Sequence, residues 1–356
     1  MPLYSFGSNG SYQLGLGHNN DISDPTSCIV QPSPKGLDSI NVTRIVGGGN
    51  HTLIQLSNGS AKAVGENTGS RCGPILHQIL DKDRNFVVDF QDCLDGVVMC
   101  AASWEASAAI VRRDTGYAIL TTGIGRRGEL GQGLPIVSSD QWTEIMKPIG
   151  SWGDSDAHPI DIHGSMNHFV TVLSNGEVYG WGKGRNGQLG EPREDSWKPR
   201  KIPVPFRAVR AVCGREFTYV LGAVDSGEHL VLGSDKNNLI SAAPVIAPRW
   251  KQVGATWSSI LVLDQSGKLH TWGKPTRTNP PESLPMLKQL AIGSEHVLAI
   301  TTDGKVIAWG WGKHGNCGLP IDGEFGDVQG RYNEIQVHRT VKSLGAGCAT
   351  SWIDVE

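Results

Sequence analysis

The feature that most restricts this chain is an internal repeat. Two short patterns alternate from one end to the other. The first is an apolar residue, a Gly or Ala, two variable residues, a slot often filled by His, and then an apolar strand. It reads VGGGNHTLIQL at 46–56, CAASWEASAAIV at 100–111, HGSMNHFVTVL at 163–173 and CGREFTYVL at 213–221. It returns as VGATWSSILVL at 253–263 and IGSEHVLAI at 292–300, with a degenerate seventh copy, LGAGCATSWIDV, at 344–355. The second pattern is an apolar strand, a Gly, a polar loop and an ending such as Gly-x-Leu-Gly. GEVYGWGKGRNGQLG (176–190) is its best copy; others are YSFGSNGSYQLG (4–15), AKAVGENTGSRCG (61–73), AILTTGIGRRGELG (118–131) and KVIAWGWGKHGNCG (305–318). HLVLGSDKNN (229–238) and KLHTWGKPTR (268–277) are eroded copies that have lost the ending.

Tight polar turns join the two halves: SNG at 57–59 and 174–176, QSG at 265–267 and TDG at 302–304. Asn-Gly and Asp-Gly pairs tolerate positive φ, which is what a β-hairpin needs. The glycines that close the second half fall at Gly7, Gly65, Gly123, Gly182, Gly233, Gly273 and Gly310. Seven copies in 356 residues make about 51 residues each. The repeat also accounts for the glycine content, 46 of 356 residues against an average share of roughly 7 %. A repeat of this size holding about four strands is one propeller blade.

The ends complement each other. The chain opens on a second half-pattern and closes on a first, so joining them completes a blade and protects both sheet edges. The expected architecture is all-β: one domain over 1–356, a seven-bladed β-propeller closed by pairing of the N- and C-terminal strands. The shared blade is drawn from about 1–17 and 341–356.

Composition narrows the function. The net charge is −3, the pI is about 6.4 and no Lys/Arg-rich run is present, so no direct DNA contact is expected. No 18-residue apolar run and no basic-then-apolar leader occur, which predicts neither membrane insertion nor secretion. The seven cysteines, Cys28, Cys72, Cys93, Cys100, Cys213, Cys317 and Cys348, contain no C-x-x-C pair. They read as reduced thiols of the cytoplasm, with the nucleus as a second compartment, and not as a metal site. There is no G-x-S-x-G elbow, P-loop, H-E-x-x-H or G-x-G-x-x-G, so no catalytic residue, cofactor or metal is assigned to this chain.

Propellers carry function on loops held by the rigid ring. The slot residues His51, Ala106, His168, Phe217, Ser259 and His296 are expected to be structural, bonding within their own blade. The two residues before each slot would ring one face near the channel. They are Gly49-Asn50, Trp104-Glu105, Met166-Asn167, Arg215-Glu216, Thr256-Trp257 and Ser294-Glu295. Trp and Arg are typical interface anchors. In WGWGKHGNCG, Trp309 is expected in the core, whereas Trp311, Lys313 and His314 occupy a loop and Cys317 a buried position. The resulting candidate partner-binding set is Trp104, Glu105, Arg215, Glu216, Trp257, Glu295, Trp311, Lys313 and His314. Insertions at 74–96, 190–206 and 319–340 are expected to form extra loops, with Glu194 and Asp195 solvated between blades.

The pattern G-x-x-H-T, apolar strand, D-G, W-G-x-N-x-x-G-Q-L-G resembles the regulator-of-chromosome-condensation repeat family. Residues 163–190 and 292–318 carry it best. The opening YSFGSNGSYQLGLGH, WGWGKHGNCG at 309–318 and GCATSWI at 347–353 are similar to a small fungal member of that family. The resemblance implies a non-enzymatic scaffold forming a heterodimer with a small zinc-ribbon-like metalloprotein, one that holds zinc or iron through four cysteines. It implies work in diphthamide synthesis on elongation factor two and in Elongator-dependent modification of wobble uridine in tRNA, with Elongator as a further partner. The family's founding member implies an alternative, guanine-nucleotide exchange on a small GTPase, though no wedge insertion or basic tail is visible. An ultraviolet-receptor role would need repeated G-W-R-H-T motifs, which are missing.

Overall fold

Seven small antiparallel sheets stand around a channel lined by the first strand of each. The computed structural model describes residues 2–31, 40–75, 85–146, 157–273 and 276–356. Strands β1 (Leu3–Gly7) and β2 (Ile22–Ser27) come first in the chain. Blade 1 is β3 (Val42–Gly47), β4 (His51–Leu56), β5 (Ser60–Glu66) and β6 (Phe86–Asp95). Blade 2 is β7 (Val97–Ala102), β8 (Ala106–Arg113), β9 (Gly116–Ile124) and β10 (Ser138–Met146). Blade 3 is β11 (Pro159–Ser165), β12 (His168–Leu173), β13 (Val178–Gly182) and β14 (Ser196–Ile202). Blades 4 and 5 have three strands: β15 (Arg210–Cys213), β16 (Phe217–Leu221) and β17 (His229–Gly233), then β18 (Trp250–Ala255), β19 (Ile260–Asp264) and β20 (Leu269–Trp272). Blade 6 is β21 (Leu287–Ile292), β22 (His296–Thr301), β23 (Val306–Trp311) and β24 (Asp327–Ile335).

The last sheet closes the ring. Its order is β2-β1-β26-β25, with β25 (Val341–Ala346) against the channel and β26 (Thr350–Val355) paired to the N-terminal strand. The β1–β26 register runs from Leu3↔Asp354 to Gly7↔Thr350. The terminal strands therefore share blade 7, as their half-patterns require. Its outer strand lies at Ile22–Ser27, beyond residue 17.

Each of the segments expected to be an extra loop carries the outer strand of its blade. β6 fills most of 85–96, and β14 and β24 lie within 190–206 and 319–340; residues 76–84 lie outside the described part. They escape the repeat because an outer strand is half solvated and keeps only a weak pattern, as in SWKPRKI with burial alternating irregularly. Conversely, the two copies that lost their ending, 229–238 and 268–277, are the two blades without a fourth strand.

One glycine position sets the shape of every blade. The seven closing glycines all have positive φ, from +101° at Gly182 to +134° at Gly233. A Cβ at Gly182 would sit 2.4 Å from the Asn167 carbonyl oxygen, in the turn between the first two strands; at Gly65 the same clash, 2.4 Å, is with Asn50. The core lies between blades. Phe169 and Trp181 stack at 5.5 Å within a cluster that also takes Ala101 and Ile110 from blade 2. Trp181, Trp309 and Trp352 are wholly buried.

Two outcomes test this architecture. Deleting residues 341–356 should lower the unfolding midpoint of the whole chain, because β1 loses its only inward partner; an unchanged midpoint contradicts closure. Gly182→Ala should destabilise by at least about 1–3 kcal/mol, the usual cost of such a backbone conformation, in a denaturant titration.

Candidate functional site

Within a blade, the turn between the first and second strands and the loop between the third and fourth emerge on the same side of the ring. This upper face carries all nine residues nominated from sequence. The upper turns are tied to one another by main-chain bonds. The amide of Gly49 donates to Trp104 O (3.1 Å), Trp104 to Met166 O (2.8 Å), Arg215 to Trp257 O (3.2 Å), Trp257 to Ser294 O (2.9 Å) and Ser294 to Gly347 O (3.1 Å). Five of the seven blade junctions are thus stitched at the channel mouth.

A second set of bonds lies just beneath. His51 Nε2 is 2.9 Å from Ser107 Oγ, His168 Nε2 is 3.0 Å from Thr218 Oγ1, and His296 Nε2 is 3.0 Å from Ser351 Oγ. Each hydroxyl belongs to the next blade. Each gives its single proton back to the histidine's own blade, at Arg71 O, Gln188 O and Asn316 O. The hydroxyl must therefore accept from His, which fixes the proton on Nε2. These histidines latch neighbouring blades, which corrects the expectation of bonds within one blade. Burial pushes the imidazoles of His51 and His168 down to about 3 and that of His296 down to about 4, so all three are neutral at pH 7. Where the slot is not His, an indole serves in places. Trp181 Nε1 donates to Glu129 O (2.9 Å) and Trp309 Nε1 to Thr278 O (3.1 Å), again across a blade junction.

Above the latches, Trp104 and Trp257 reach across the channel mouth from blades 2 and 5. Their rings are 6.0 Å apart at 49°. The Arg215 guanidinium stacks on Trp257, 5.5 Å from its centroid, with the side chain exposed. Both indoles are half-buried. Gly49 makes room for Trp104, since a Cβ there would lie 2.8 Å from its ring. Trp257 sits in register with Trp104 and Arg215, so the blade 5 pair is Trp257-Ser258 and not Thr256-Trp257.

The acidic candidates are committed to partners within the chain. Glu105 lies 3.5 Å from Arg71, which also meets Glu66 at 3.3 Å. Glu216 pairs with Lys183 at 3.2 Å. Glu295 is lifted by burial, against the opposing pull of nearby Arg277 and Arg215. In blade 6, Trp311 is half-buried and its Nε1 donates to Phe325 O (2.9 Å). Its ring meets His314 edge-on at 5.2 Å, and His314 Nδ1 is 2.7 Å from Asp21 Oδ2 of blade 7. Lys313 is exposed, as are Leu319 (62 %) and Phe325 (67 %) of the same loop. The upper face thus offers Trp104, Trp257, Arg215, Trp311 and Lys313, while Glu105, Glu216 and Glu295 hold the turns in place.

Residues 2–55 and 175–221 match the Regulator of chromosome condensation (RCC1) repeat, and residues 287–316 match a second description of the same repeat. These three stretches are similar to RCC1 repeats. An RCC1 repeat-containing protein of Schizosaccharomyces pombe is 29 % identical, covering 99 % of both chains. The secretion-regulating guanine nucleotide exchange factor of mouse is 23 % identical over 89 % of this chain and 75 % of its own. Prp20p of Saccharomyces cerevisiae, solved in a study of its binding to Gsp1p and histones, superposes with a TM-score of 0.77. It shares 18 % identity and covers 99 % of this chain and 91 % of its own.

In this propeller the core assignments stand: Trp309 and Cys317 are fully buried, and burial raises the Cys317 thiol well above its ordinary value. All seven cysteines are free. No group of His, Cys, Asp and Glu among the described residues has metal-binding geometry, and no described helix is long and apolar enough to cross a membrane. Asp195 is not solvated between blades. Its side chain is 5 % exposed and held by Arg185 (2.9 Å) and, from blade 2, Arg127 (3.6 Å). Arg71, Arg127 and Lys183 escape a reading of the sequence because each lies in a variable loop whose neighbour across the junction is about 30 to 70 residues away.

The latches give a pH dependence. An unfolded histidine titrates near its ordinary 6.5, whereas the folded ones resist protonation until about 3 to 4. Between these values the unfolded chain binds more protons, so stability falls as pH drops below about 6.5. His168→Gln should make the unfolding free energy less steep by up to about 1.4 kcal/mol per pH unit between pH 4 and 6. An unchanged slope would show that His168 is not held neutral.

Proposed function

We propose that this chain is a non-enzymatic scaffold whose upper face docks a small metalloprotein that holds zinc or iron through four cysteines. The observation that carries it is the Trp104–Trp257–Arg215 cluster, half-exposed on turns that are bonded around the mouth. Aromatic and Arg anchors on a pre-ordered surface bind with little ordering cost. Trp311, Lys313 and His314 extend the surface toward blade 7. The pathway rests on resemblance to the fungal α-tubulin-suppressor, or killer-toxin-insensitivity, propeller. It is diphthamide synthesis on elongation factor two and Elongator-dependent wobble-uridine modification, in the cytoplasm and nucleus.

A second reading is guanine-nucleotide exchange on a small GTPase. The likeness to the mouse secretion-regulating exchange factor favours it.

Tagged chain purified gently from a fungal host separates the two. A stoichiometric companion of under about 100 residues with four Cys at metal spacing is the expected result. A GTPase released by added nucleotide would instead support exchange. Trp104→Ala and Trp257→Ala should each weaken capture of the companion by about tenfold or more, as hot-spot truncations do, while moving the melting midpoint little. Loss of folding in both variants would make the cluster a structural plug.

A further inference from the structure

On the lower face the innermost strand of six blades carries a β-bulge at one repeated position. Val42 pairs with Leu56 but Arg44 with Gln55, so Thr43 is the extra residue. The same skip falls at Val98, Ile160, Lys251, Lys288 and Lys342. A bulge leaves its extra residue unpaired and re-aims the side chain. All six of these side chains are exposed, at the rim where the first strands enter the channel. Around the rim the identities segregate. Val98 and Ile160, 39 % and 40 % exposed, stand on the adjacent blades 2 and 3. Lys251, Lys288 and Lys342 stand on the consecutive blades 5, 6 and 7.

The lysine arc forms no direct ion pair among the described residues, and Lys342 reaches only Asn41 Oδ1 at 3.5 Å. The nearby Asp354 is buried, which raises its carboxyl pKa against the opposing pull of Lys342 and the N-terminus. One residue deeper, Arg44 and Arg210 line the channel. Arg210 is matched by Asp161 at 3.3 Å, and Asp161 also accepts the Ala211 amide. Among the described residues Arg44 donates only to Ile162 O, at 3.3 Å, and it shares the field of Asp161 with Arg210.

We infer that the lower rim is a second binding site, for an extended acidic peptide segment carrying apolar residues. Carboxylates meet the lysine arc and Arg44, and an apolar side chain covers Val98 and Ile160. Charge complementarity selects the acidic chain. The apolar half of the rim selects peptide over nucleic acid, since it offers a phosphate backbone nothing. The site is on the face opposite the Trp104–Trp257 cluster and does not depend on it.

The test uses the full chain and a fluorescein-labelled (Glu-Glu-Leu)4 peptide, read by anisotropy at low salt. Saturable binding is expected, weakened at least about tenfold in the Lys251→Gln/Lys288→Gln/Lys342→Gln variant. Val98→Ser/Ile160→Ser should weaken it by about threefold or more, whereas Trp104→Ala should leave it unchanged. The lysines are exposed, so the triple variant should keep the wild-type melting midpoint. Absent peptide binding, or equal binding by the triple variant, overturns the proposal. Tighter binding of labelled (dT)12 than of the peptide overturns it in favour of nucleic acid.

Discussion

Each blade is held by one contact that only glycine permits. The third strand closes on a glycine at positive φ set against the carbonyl of the first turn, and in five blades the following amide donates to that carbonyl. Glu66 N bonds Asn50 O, Ile124 N bonds Glu105 O, Lys183 N bonds Asn167 O and Trp311 N bonds Glu295 O, at 2.7–2.8 Å. Closing blade 7 uses the same bond, from Ser8 N to Ala349 O at 2.8 Å, between residues at opposite ends of the chain. This contact fixes the height of every upper turn. The turn-to-turn bonds and the histidine latches depend on that common height.

Rigidity at the mouth has a functional consequence. A loop that must order on binding spends part of its interaction energy doing so. Trp104 and Trp257 are spared that cost, because their amides and carbonyls are already engaged with neighbouring turns. Ion pairs of Glu105 with Arg71 and of Glu216 with Lys183, and hydrogen bonds of Asn50 with Glu66 and of Asn167 with Glu129, hold the second residue of these turns in place. The first residue of the turn is left to face outward, and it is at this position that the blades differ: Gly49, Trp104, Met166, Arg215, Trp257, Ser294 and Cys348.

The parts of the fold legible in the sequence are those where one residue type alone satisfies the geometry. The seven closing glycines and the Asn-Gly or Asp-Gly hairpins are of this kind, and they yield the blade count and the shared blade. The outer strands β6, β14 and β24 read as insertions because their solvated faces accept almost any residue. The role of the slot is hidden for a different reason. His51 and Ser107 are 56 residues apart, so their bond crosses a junction that no local pattern marks. The sequence does hold a trace of it: the three slots with His are followed, one blade later, by Ser107, Thr218 or Ser351. The Ala106 slot is followed by Phe169 at that position. The bulge lysines are equally invisible, because a bulge is defined by its partner strand.

The claim on which the rest stands is that the upper turns are bonded to one another, at five of the seven junctions, and are not a set of free loops. Native-state hydrogen exchange on the isolated chain reads it directly. The amides of Trp104, Trp257 and Ser294 should exchange as slowly as those of the second strands, although they lie in turns at the surface. Exchange at the rate of the exposed hairpin 302–304 would contradict the account, leaving seven blades joined by their side chains alone.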